Sequence, residues 1–411
     1  MAERLLAPHE AAIHTAGVRV VLQSTVEGAL DEEALAQALA HLYAGCPLLG
    51  ARIVPDRDGR AVVRTGEVGR GPVLGHGADF DEEINTPQLW EEDPLLRMTL
   101  LREPGRTRVV LTLPRAFVDG MSYLDLHHRL WDIYSALATG HPLPPLPQLP
   151  VLGPSLDELL AARFTPEGLR DFVAARARLD AHEPPALVPA LASHEGGPGP
   201  HPAFRLIGID TGADRSARLA QAARDASLTL NSLVSGVLLT SLHSLLPPAP
   251  GPRPVLCTTA VDMRRRLSPP LPAGLLQSAA TTATLRLRIG EANHPATVGQ
   301  EVAAQLRAAL DSGDAARELA AFPYMLDQHP PSLVITNVGT ITVPAVVGGL
   351  RVTGVRLAPL GHVPMIFAVV SRYQGRLAVD LTYSTAWYTD QQIQEFARRV
   401  SAGLENLLRT A

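Results

Sequence analysis

One stretch of the sequence carries the residues best placed to do chemistry. The apolar, β-branched run 109–113 predicts a strand that leads through Pro114 and Arg115 to Asp119-Gly120, where a helical pattern begins. An arginine stays protonated in proteins and cannot be a base, but it can bind a carboxylate or phosphate or stabilise an oxyanion. Three interpretations of Arg115 stay open: an ion pair with Asp119, contact with substrate, or a solvated side chain.

Three other side chains are candidates for substrate binding. Ser122 follows the Asp-Gly pair, where a hydroxyl either reaches substrate or caps the start of a helix. Cys257 lies in a predicted strand, and as a nucleophile it would need a lowered pKa, whereas a buried apolar cysteine is inert. Asn337 either donates a hydrogen bond to a substrate or caps a turn.

Several histidines are weaker candidates. His127 and His128 are adjacent within a predicted helix, so they lie on different faces. His9 and His14, near the N-terminus, are the weakest of these candidates.

The sequence predicts neither a metal site nor a resident cofactor. Cys46 and Cys257 have no metal-ligand spacing. The glycine-rich stretch 196–199 is interrupted by proline and lies outside any strand-to-helix context, unlike a phosphate-binding loop.

Two breaks divide the chain into alternating α/β halves. Residues 141–154 are rich in proline and predict an extended connection, and 193–202 predict a flexible one. A mostly helical segment, 155–182, lies between them. We therefore predict an N-terminal lobe, a connecting region and a C-terminal lobe with the limits 1–150, 151–202 and 203–411.

Composition narrows the class of protein. The chain has 411 residues, 46% of them hydrophobic, and a net charge of -5 without a basic tract, so nucleic acid is not an expected partner. All 36 cationic residues are arginine, which is typical of a GC-rich bacterial gene. Neither a secretory signal nor a transmembrane segment is expected, which predicts a cytoplasmic protein.

A set of ordered segments gives a family resemblance. The segments are Leu6–Glu10, Gly28–Leu35, Cys46–Leu49, Leu228–Leu246, Val261–Arg264, Thr336–Gly339 and Gly375–Leu377. With the Asp119-Gly120 loop they resemble the condensation-domain and chloramphenicol-acetyltransferase superfamily, and most closely its free-standing polyketide-associated (Pap) acyltransferases. In that superfamily the loop carries His-His-x-x-x-Asp-Gly, where the second histidine is the general base. Here Pro114 and Arg115 replace the two histidines.

The resemblance implies a fold and roles for particular residues. The fold class is α/β, with two chloramphenicol-acetyltransferase-like lobes of mixed sheet and helices forming a V around a central channel. Asp119 would form a structural salt bridge to Arg264, with Gly120 beside it in the loop. His362 precedes a strand that lines the channel in relatives, so it is the candidate substitute base, beside Arg115 as the other catalytic candidate.

The resemblance also implies a function. It is acyl transfer in bacterial polyketide or peptide biosynthesis, from a thioester of coenzyme A or of carrier-protein phosphopantetheine to a hydroxyl or amine. The expected partners are a small hydrophobic biosynthetic intermediate and an acyl carrier protein. One alternative is a cyclase, dehydratase or condensation catalyst in which Arg115 polarises a carbonyl. A further alternative is a non-catalytic carrier-protein or ligand-binding partner.

Overall fold

The chain folds into two compact units. A computed structural model describes residues 2–66, 71–146, 149–161, 163–191, 202–272, 274–325, 328, 330–343 and 350–410. The first unit comprises Met1–Leu159, Arg264–Ala279 and Ile341–Gly361, and the second comprises Leu160–Met263, Ala280–Thr340 and His362–Ala411.

Strands and helices alternate along both units. The strands are β1 (Glu3–Leu5), β2 (Arg19–Glu27), β3 (Arg52–Pro55), β4 (Ala61–Arg64), β5 (Leu74–Gly77), β6 (Arg97–Glu103), β7 (Arg106–Pro114), β8 (Phe204–Asp210), β9 (Arg253–Asp262), β10 (Ala280–Ile289), β11 (Leu333–Ile341), β12 (Arg351–Leu360), β13 (Ile366–Tyr373) and β14 (Arg376–Ser384). The helices are α1 (Pro8–Thr15), α2 (Glu32–Gly45), α3 (Phe80–Asn85), α4 (Gly120–Thr139), α5 (Leu156–Ala161), α6 (Pro166–His182), α7 (Ala213–Asp225), α8 (Leu230–Leu242), α9 (Pro295–Asp311), α10 (Asp314–Ala320) and α11 (Asp390–Thr410).

Each unit is built on a mixed sheet. The first unit has a five-stranded sheet in the order β12-β2-β7-β6-β5 and a small sheet in the order β1-β4-β3. The second unit has a six-stranded sheet in the order β10-β9-β11-β13-β14-β8. Most neighbours are antiparallel, while β5 with β6 and β11 with β9 are parallel. This is the predicted α/β class, with sheets and helices in both units.

Local sequence signals place several helix ends. Asp31 accepts a hydrogen bond from the Ala34 N–H at 3.0 Å, so it is the N-cap of α2. The predicted helical segment 155–182 forms two helices, α5 and α6, because Thr165 caps a new helix start before Pro166. The stretch 193–202, apart from Pro202, lies outside the described residues.

Long-range strand pairing gives the units limits that differ from the domain limits predicted above. Strand β12 pairs antiparallel with β2, with Leu357 opposite Leu22, so the segment Ile341–Gly361 belongs to the first unit. The segment Arg264–Ala279 belongs there too, through the contacts of Arg264 described below. Both segments lie within the predicted C-terminal lobe by sequence.

Helix length and composition bear on membrane spans. Among the described residues, no single helix is long and apolar enough to cross a bilayer, although the pair Ala213–Asp225 and Leu230–Leu245 meets the criteria when its two parts, bent at 96°, are taken together.

Two glycines allow α8 and α9 to approach closely in the second unit. A Cβ at Gly236 would overlap the carbonyl oxygen of Pro295, and a Cβ at Gly299 would lie 2.6 Å from the carbonyl oxygen of Ser232. Backbone atoms cannot move aside as the end of a flexible side chain does, so only glycine fits this crossing.

The substitution Gly236→Ala is expected to lower the free energy of unfolding by about 1–3 kcal/mol, because the added methyl group forces the two helices apart. Urea denaturation measures the loss. The matched control is Gly212→Ala, since no atom lies within 4 Å of a Cβ at Gly212. Equal stability of the two variants would contradict the proposed close packing.

Candidate functional site

The segment 114–119, the motif loop, is shaped by backbone hydrogen bonds at both ends. Strand β7 ends at Pro114, and the Arg115 N–H donates to the Val18 carbonyl at 3.0 Å. Asp119 is the N-cap of α4 and accepts from the Ser122 N–H at 2.9 Å. The Ser122 hydroxyl in turn lies 3.1 Å from the Asp119 N–H, which completes a capping box. Ser122 is 5% exposed, so its hydroxyl serves the helix start rather than an open surface.

Asp119 is the buried charge that holds the motif loop to the segment Arg264–Ala279. Its Oδ2 accepts from Arg264 Nη1 at 2.8 Å and from the Ala279 N–H at 2.6 Å. Burial alone would raise the pKa of the carboxyl, but the charge and hydrogen bond of Arg264, with two backbone N–H groups, hold it below its ordinary value. Asp119 is 2% exposed and ionised, so it acts as a structural anchor for the loop, and Gly120 follows it as the first residue of α4.

Arg115 makes different contacts from those of the predicted ion pair with Asp119. Its Nη1 donates to the Val118 carbonyl at 3.0 Å and to the Ser278 hydroxyl at 2.6 Å. No Arg115–Asp119 ion pair is present in the described part of the chain, because the Asp119 carboxylate is taken up by Arg264. The side chain is half-buried.

Two of the three nitrogens of the Arg115 guanidinium, Nε and Nη2, donate no hydrogen bond to another described residue. Burial and the charge of Arg264 lower the pKa of the group, and the charge of Asp119 opposes them. A guanidinium stays protonated in proteins, so Arg115 keeps its positive charge. A guanidinium fixed through one nitrogen and open at two others can bind a carbonyl, carboxylate or oxyanion.

His362 lies in the second unit and has a well-defined environment. Its Nδ1 is 2.7 Å from the Ser384 hydroxyl, and its ring stacks on Phe204 with the ring centroids 4.1 Å apart. Trp387 Nε1 donates to the His362 carbonyl at 3.0 Å. These contacts fix the ring orientation of an exposed residue. Arg115 lies in the first unit and His362 in the second, so each catalytic candidate is described within its own unit.

The environments of Asn337 and Cys257 favour structural roles. Asn337 is exposed in the middle of β11, and its Oδ1 accepts from the Gly339 N–H two residues ahead at 2.7 Å, which is a local contact to its own strand. Gly339 has φ +72°, which favours glycine there. Cys257 is fully buried in β9, and burial raises the pKa of its thiol to about 12. A protonated, buried thiol is inert.

His127 belongs to a buried polar cluster. Its Nε2 accepts from Trp131 Nε1 at 2.9 Å and lies 2.5 Å from the Ser24 hydroxyl. Burial lowers the pKa of His127 to about 3, so the imidazole is neutral. His128, on another face of α4, lies 3.3 Å from an Asp132 carboxylate oxygen, with 42% of its side chain exposed. The two histidines therefore lie in different environments, His127 buried and His128 exposed, and they do not form a displaced His-His motif.

Acid is expected to destabilise the fold partly through His127. The ordinary pKa of a histidine is about 6.5, so below that pH the unfolded chain binds a proton that the folded chain, with a His127 pKa of about 3, does not. Stability contributed by the neutral form is therefore fully present above pH 6.5 and is lost as the pH falls, by up to about 1.4 kcal/mol per pH unit. Urea denaturation at several pH values should show a shallower pH dependence of stability for His127→Gln than for wild type. Identical slopes in His127→Gln and wild type would contradict this.

His9 is a histidine whose environment the sequence did not predict. His9 is half-buried in the first turn of α1, and its backbone N–H donates to Asp157 Oδ1 at 3.1 Å. Burial, and then the charge of Arg115, lower the pKa of the imidazole to about 3. The signal that could have found it is its place inside the segment Leu6–Glu10, which already carried part of the family resemblance.

Cavities and metal ligands do not add to this set. A cavity of about 460 Å³ in the first unit is lined by residues of β5, α3 and β6, and none of the predicted site residues lines it. No group of three or more histidine, cysteine or acidic residues is placed to hold a metal ion in the described part of the chain.

Comparison with known proteins shows which proteins this chain resembles in sequence and in fold. A model of the phthiocerol/phthiodiolone dimycocerosyl transferase C-terminus matches residues 202–391. A phthiocerol/phthiodiolone dimycocerosyl transferase of Mycobacterium tuberculosis is 25% identical over 316 residues, which cover 75% of this chain and 73% of that protein. The structure of polyketide synthase associated protein 5 from M. tuberculosis matches 98% of both chains with a TM-score of 0.76 and 20% identity. The first condensation domain of the calcium-dependent antibiotic synthetase matches 99% of this chain and 96% of its own, with a TM-score of 0.70 and 19% identity.

The chain therefore has the fold of the condensation-domain and chloramphenicol-acetyltransferase-like proteins. In sequence it is similar to proteins that are named as acyltransferases. The predicted resemblance is confirmed, including its closeness to the Pap type. This chain has Pro114 and Arg115 where the motif of the resemblance carries its two histidines.

Proposed function

We propose that this protein is a member of that superfamily and transfers an acyl group from a thioester to a hydroxyl or amine, and that Arg115 binds the thioester carbonyl oxygen. The observation that carries the proposal is the arrangement of Arg115. It stands at the position of the second motif histidine, is held by Val118 and Ser278 through Nη1, and leaves Nε and Nη2 unused by any other described residue.

Charge stabilisation explains how an arginine would serve there. Attack on a thioester carbonyl places negative charge on its oxygen, and a preorganised cation stabilises that charge more in a half-buried site than in water. Arg115 is already fixed by two hydrogen bonds, so little reorganisation accompanies the reaction.

Substrates and partners follow from the same chemistry. The donor we propose is a thioester of coenzyme A or of carrier-protein phosphopantetheine, which makes an acyl carrier protein the expected macromolecular partner. The acceptor is a small hydrophobic biosynthetic intermediate. The protein itself would hold no permanent cofactor.

A proton acceptor is still required. Arg115 and the ion-paired Asp119 cannot supply one, since the guanidinium stays protonated and both Asp119 oxygens accept hydrogen bonds. The sequence predicts His362 for this step, and its ring is held by Ser384 and Phe204.

Mass spectrometry of acyl transfer tests the proposal. Wild type, Arg115→Ala and Arg115→His are each incubated with acyl-coenzyme A and acyl-carrier donors and with alcohol and amine acceptors. We expect acylated acceptor and free thiol in equal amounts with wild type. Transfer by Arg115→His alone, with none by wild type, would contradict the proposal, because the site would then need the family's own histidine. Failure of wild type to bind or consume any thioester would contradict it as well.

A further inference from the structure

A cavity in the first unit is lined by polar groups that the proposed acyl transfer does not use. It has a volume of about 460 Å³ and is lined by residues of the edge strand β5, of helix α3 and of the first part of β6. Sites for small molecules have volumes of roughly 300–1,000 Å³, so the cavity is large enough to hold one. None of the predicted site residues lines it, so the motif loop does not account for it.

A glycine of β5 lies in the cavity wall where neither packing nor backbone conformation requires it. A Cβ at Gly75 would meet only ordinary contacts, 3.6 Å to the Met98 carbonyl oxygen and 4.0 Å to Thr99 Oγ1. Its φ lies outside the left-handed region that favours glycine. Glycine weakens a strand, and in a strand it often marks a place where a ligand approaches the backbone. Gly75 therefore leaves the side of β5 that faces Thr99 without a side chain.

The cavity wall also contains a buried carboxylate that is only half engaged. Glu83 is 6% exposed, and its Oε1 accepts from Arg97 Nε and from the Thr99 hydroxyl, both at 3.0 Å. Its Oε2 accepts no hydrogen bond from a described residue. Buried polar atoms are normally hydrogen-bonded. One oxygen of Glu83 is therefore left to accept a hydrogen bond from a ligand.

Gln88 adds a second acceptor to the wall. It is 8% exposed, and its Nε2 donates to the carbonyls of Pro94 at 2.9 Å and Leu95 at 3.3 Å. These two bonds fix which end of the amide is the nitrogen. The Oε1 at the other end is buried and accepts no hydrogen bond from a described residue. The wall thus contains two acceptors, Glu83 Oε2 and Gln88 Oε1, for which the described residues supply no donor.

The charges in the lining are mostly negative. Each of the three nitrogens of the Arg97 guanidinium donates to Glu83 or to a backbone carbonyl within 86–87. His76 Nε2 lies 3.0 Å from a Glu32 carboxylate oxygen. The described lining residues that carry a carboxylate are Glu82, Glu83 and Asp93. A ligand in this cavity therefore meets acceptor oxygens and an excess of negative charge, which favours a positively charged N–H donor.

We infer that this cavity is a binding site for a small organic amine in its ammonium form. The ammonium group donates to Glu83 Oε2, and Gln88 Oε1 is a further acceptor in the same wall. Val73 and Pro87 also line the cavity, so the occupant has an apolar part beside its charged group. The inference does not rest on the proposed acyl transfer.

The first test compares three probes that share one apolar body and differ in the polar group. Isothermal titration calorimetry of the full chain is carried out with 2-phenylethylamine, 2-phenylethanol and phenylacetate. The amine should bind at least about tenfold more tightly than the alcohol or the carboxylate, because a charge-assisted hydrogen bond is stronger than a neutral one. Glu83→Gln should weaken binding of the amine by a similar factor.

A second variant fills the cavity and leaves its polar groups in place. Gly75→Val directs its methyl groups toward Thr99, and a β-branched residue favours the strand, so this variant should fold. It should weaken binding of the amine by at least about tenfold, which corresponds to the loss of one charged hydrogen bond. The matched control is Gly354→Val in β12 of the same unit, where a Cβ also meets only ordinary contacts, 3.7 Å to Thr25 Oγ1.

The outcomes decide the inference without any measurement of turnover. Binding of the amine by wild type and by Gly354→Val, with a loss in Gly75→Val, supports it. Equal affinities for the three probes would overturn the assignment of an ammonium ligand. Equal affinities of wild type and Gly75→Val for the amine, or no binding of the amine by wild type, would overturn the site itself. Acyl transfer is assayed separately, so it can fail while the amine site stands, and the reverse also holds.

Discussion

Replacing Arg115 with alanine is expected to lower kcat for acyl transfer by about 10²–10³-fold, the usual effect of removing one preorganised donor to an oxyanion. The KM for the thioester should change less, because the charge on the carbonyl oxygen is largest in the transition state. Steady-state kinetics with the donor found by mass spectrometry give both values.

Two controls separate the loss of charge stabilisation from damage to the loop. Arg115→Ala removes the hydrogen bonds to Val118 and Ser278, so its unfolding must be measured beside its kinetics. Arg57→Ala removes an exposed arginine of the same unit and should leave kcat unchanged. Arg115→Lys keeps a charge but loses the planar fork, so an intermediate rate is expected. A kcat within threefold of wild type in Arg115→Ala would refute the role of oxyanion stabiliser.

Arg264→Ala is expected to destabilise the protein by about 3–5 kcal/mol, because it leaves the buried carboxylate of Asp119 without its partner. Asp119 is 2% exposed and lies 2.8 Å from Arg264, so water cannot take the place of the guanidinium without opening the loop. Denaturant unfolding measures the loss. Arg265→Ala, at the neighbouring exposed arginine, should be nearly neutral.

A double-mutant cycle tests whether the loss belongs to the pair. Asp119→Asn with Arg264→Met should cost less than the sum of the two single changes, since the double variant leaves no unpaired charge. If the single effects simply add, the ion pair is not what stabilises the motif loop. The same variants should also lose transfer activity, because Arg115 shares that loop.

Part of the site could be predicted from the sequence because it is local. The Asp119 side chain caps its own helix three residues ahead, and Asp31 does the same for α2, so residue type and spacing suffice to place both. The run 109–113 before Pro114 is also determined locally, because β-branched residues favour the extended backbone of a strand. The pairing of Asp119 with Arg264 came from the family resemblance, because nothing local to either residue indicates it.

The contacts of Arg115 show where local interpretation fails. An ion pair with Asp119, four residues away, is one interpretation of the sequence. In the structure the Asp119 carboxylate binds Arg264, 145 residues later, and Arg115 binds Ser278. The nearest opposite charge in sequence was therefore not the partner, since a buried carboxylate is stabilised by the groups that the fold brings to it.

The sequence by itself determined the alternation of strands and helices, the N-cap of α2 and the absence of a histidine in the motif loop. Only the tertiary structure decided that Arg264–Ala279 and Ile341–Gly361 complete the first unit, and that Arg115 binds Ser278. Caps and periodic patterns depend on backbone groups a few residues apart, which the chain encodes locally. Strand partners and side-chain neighbours more than a hundred residues apart depend on which of many possible chain closures buries the apolar faces best, and no local pattern specifies that choice.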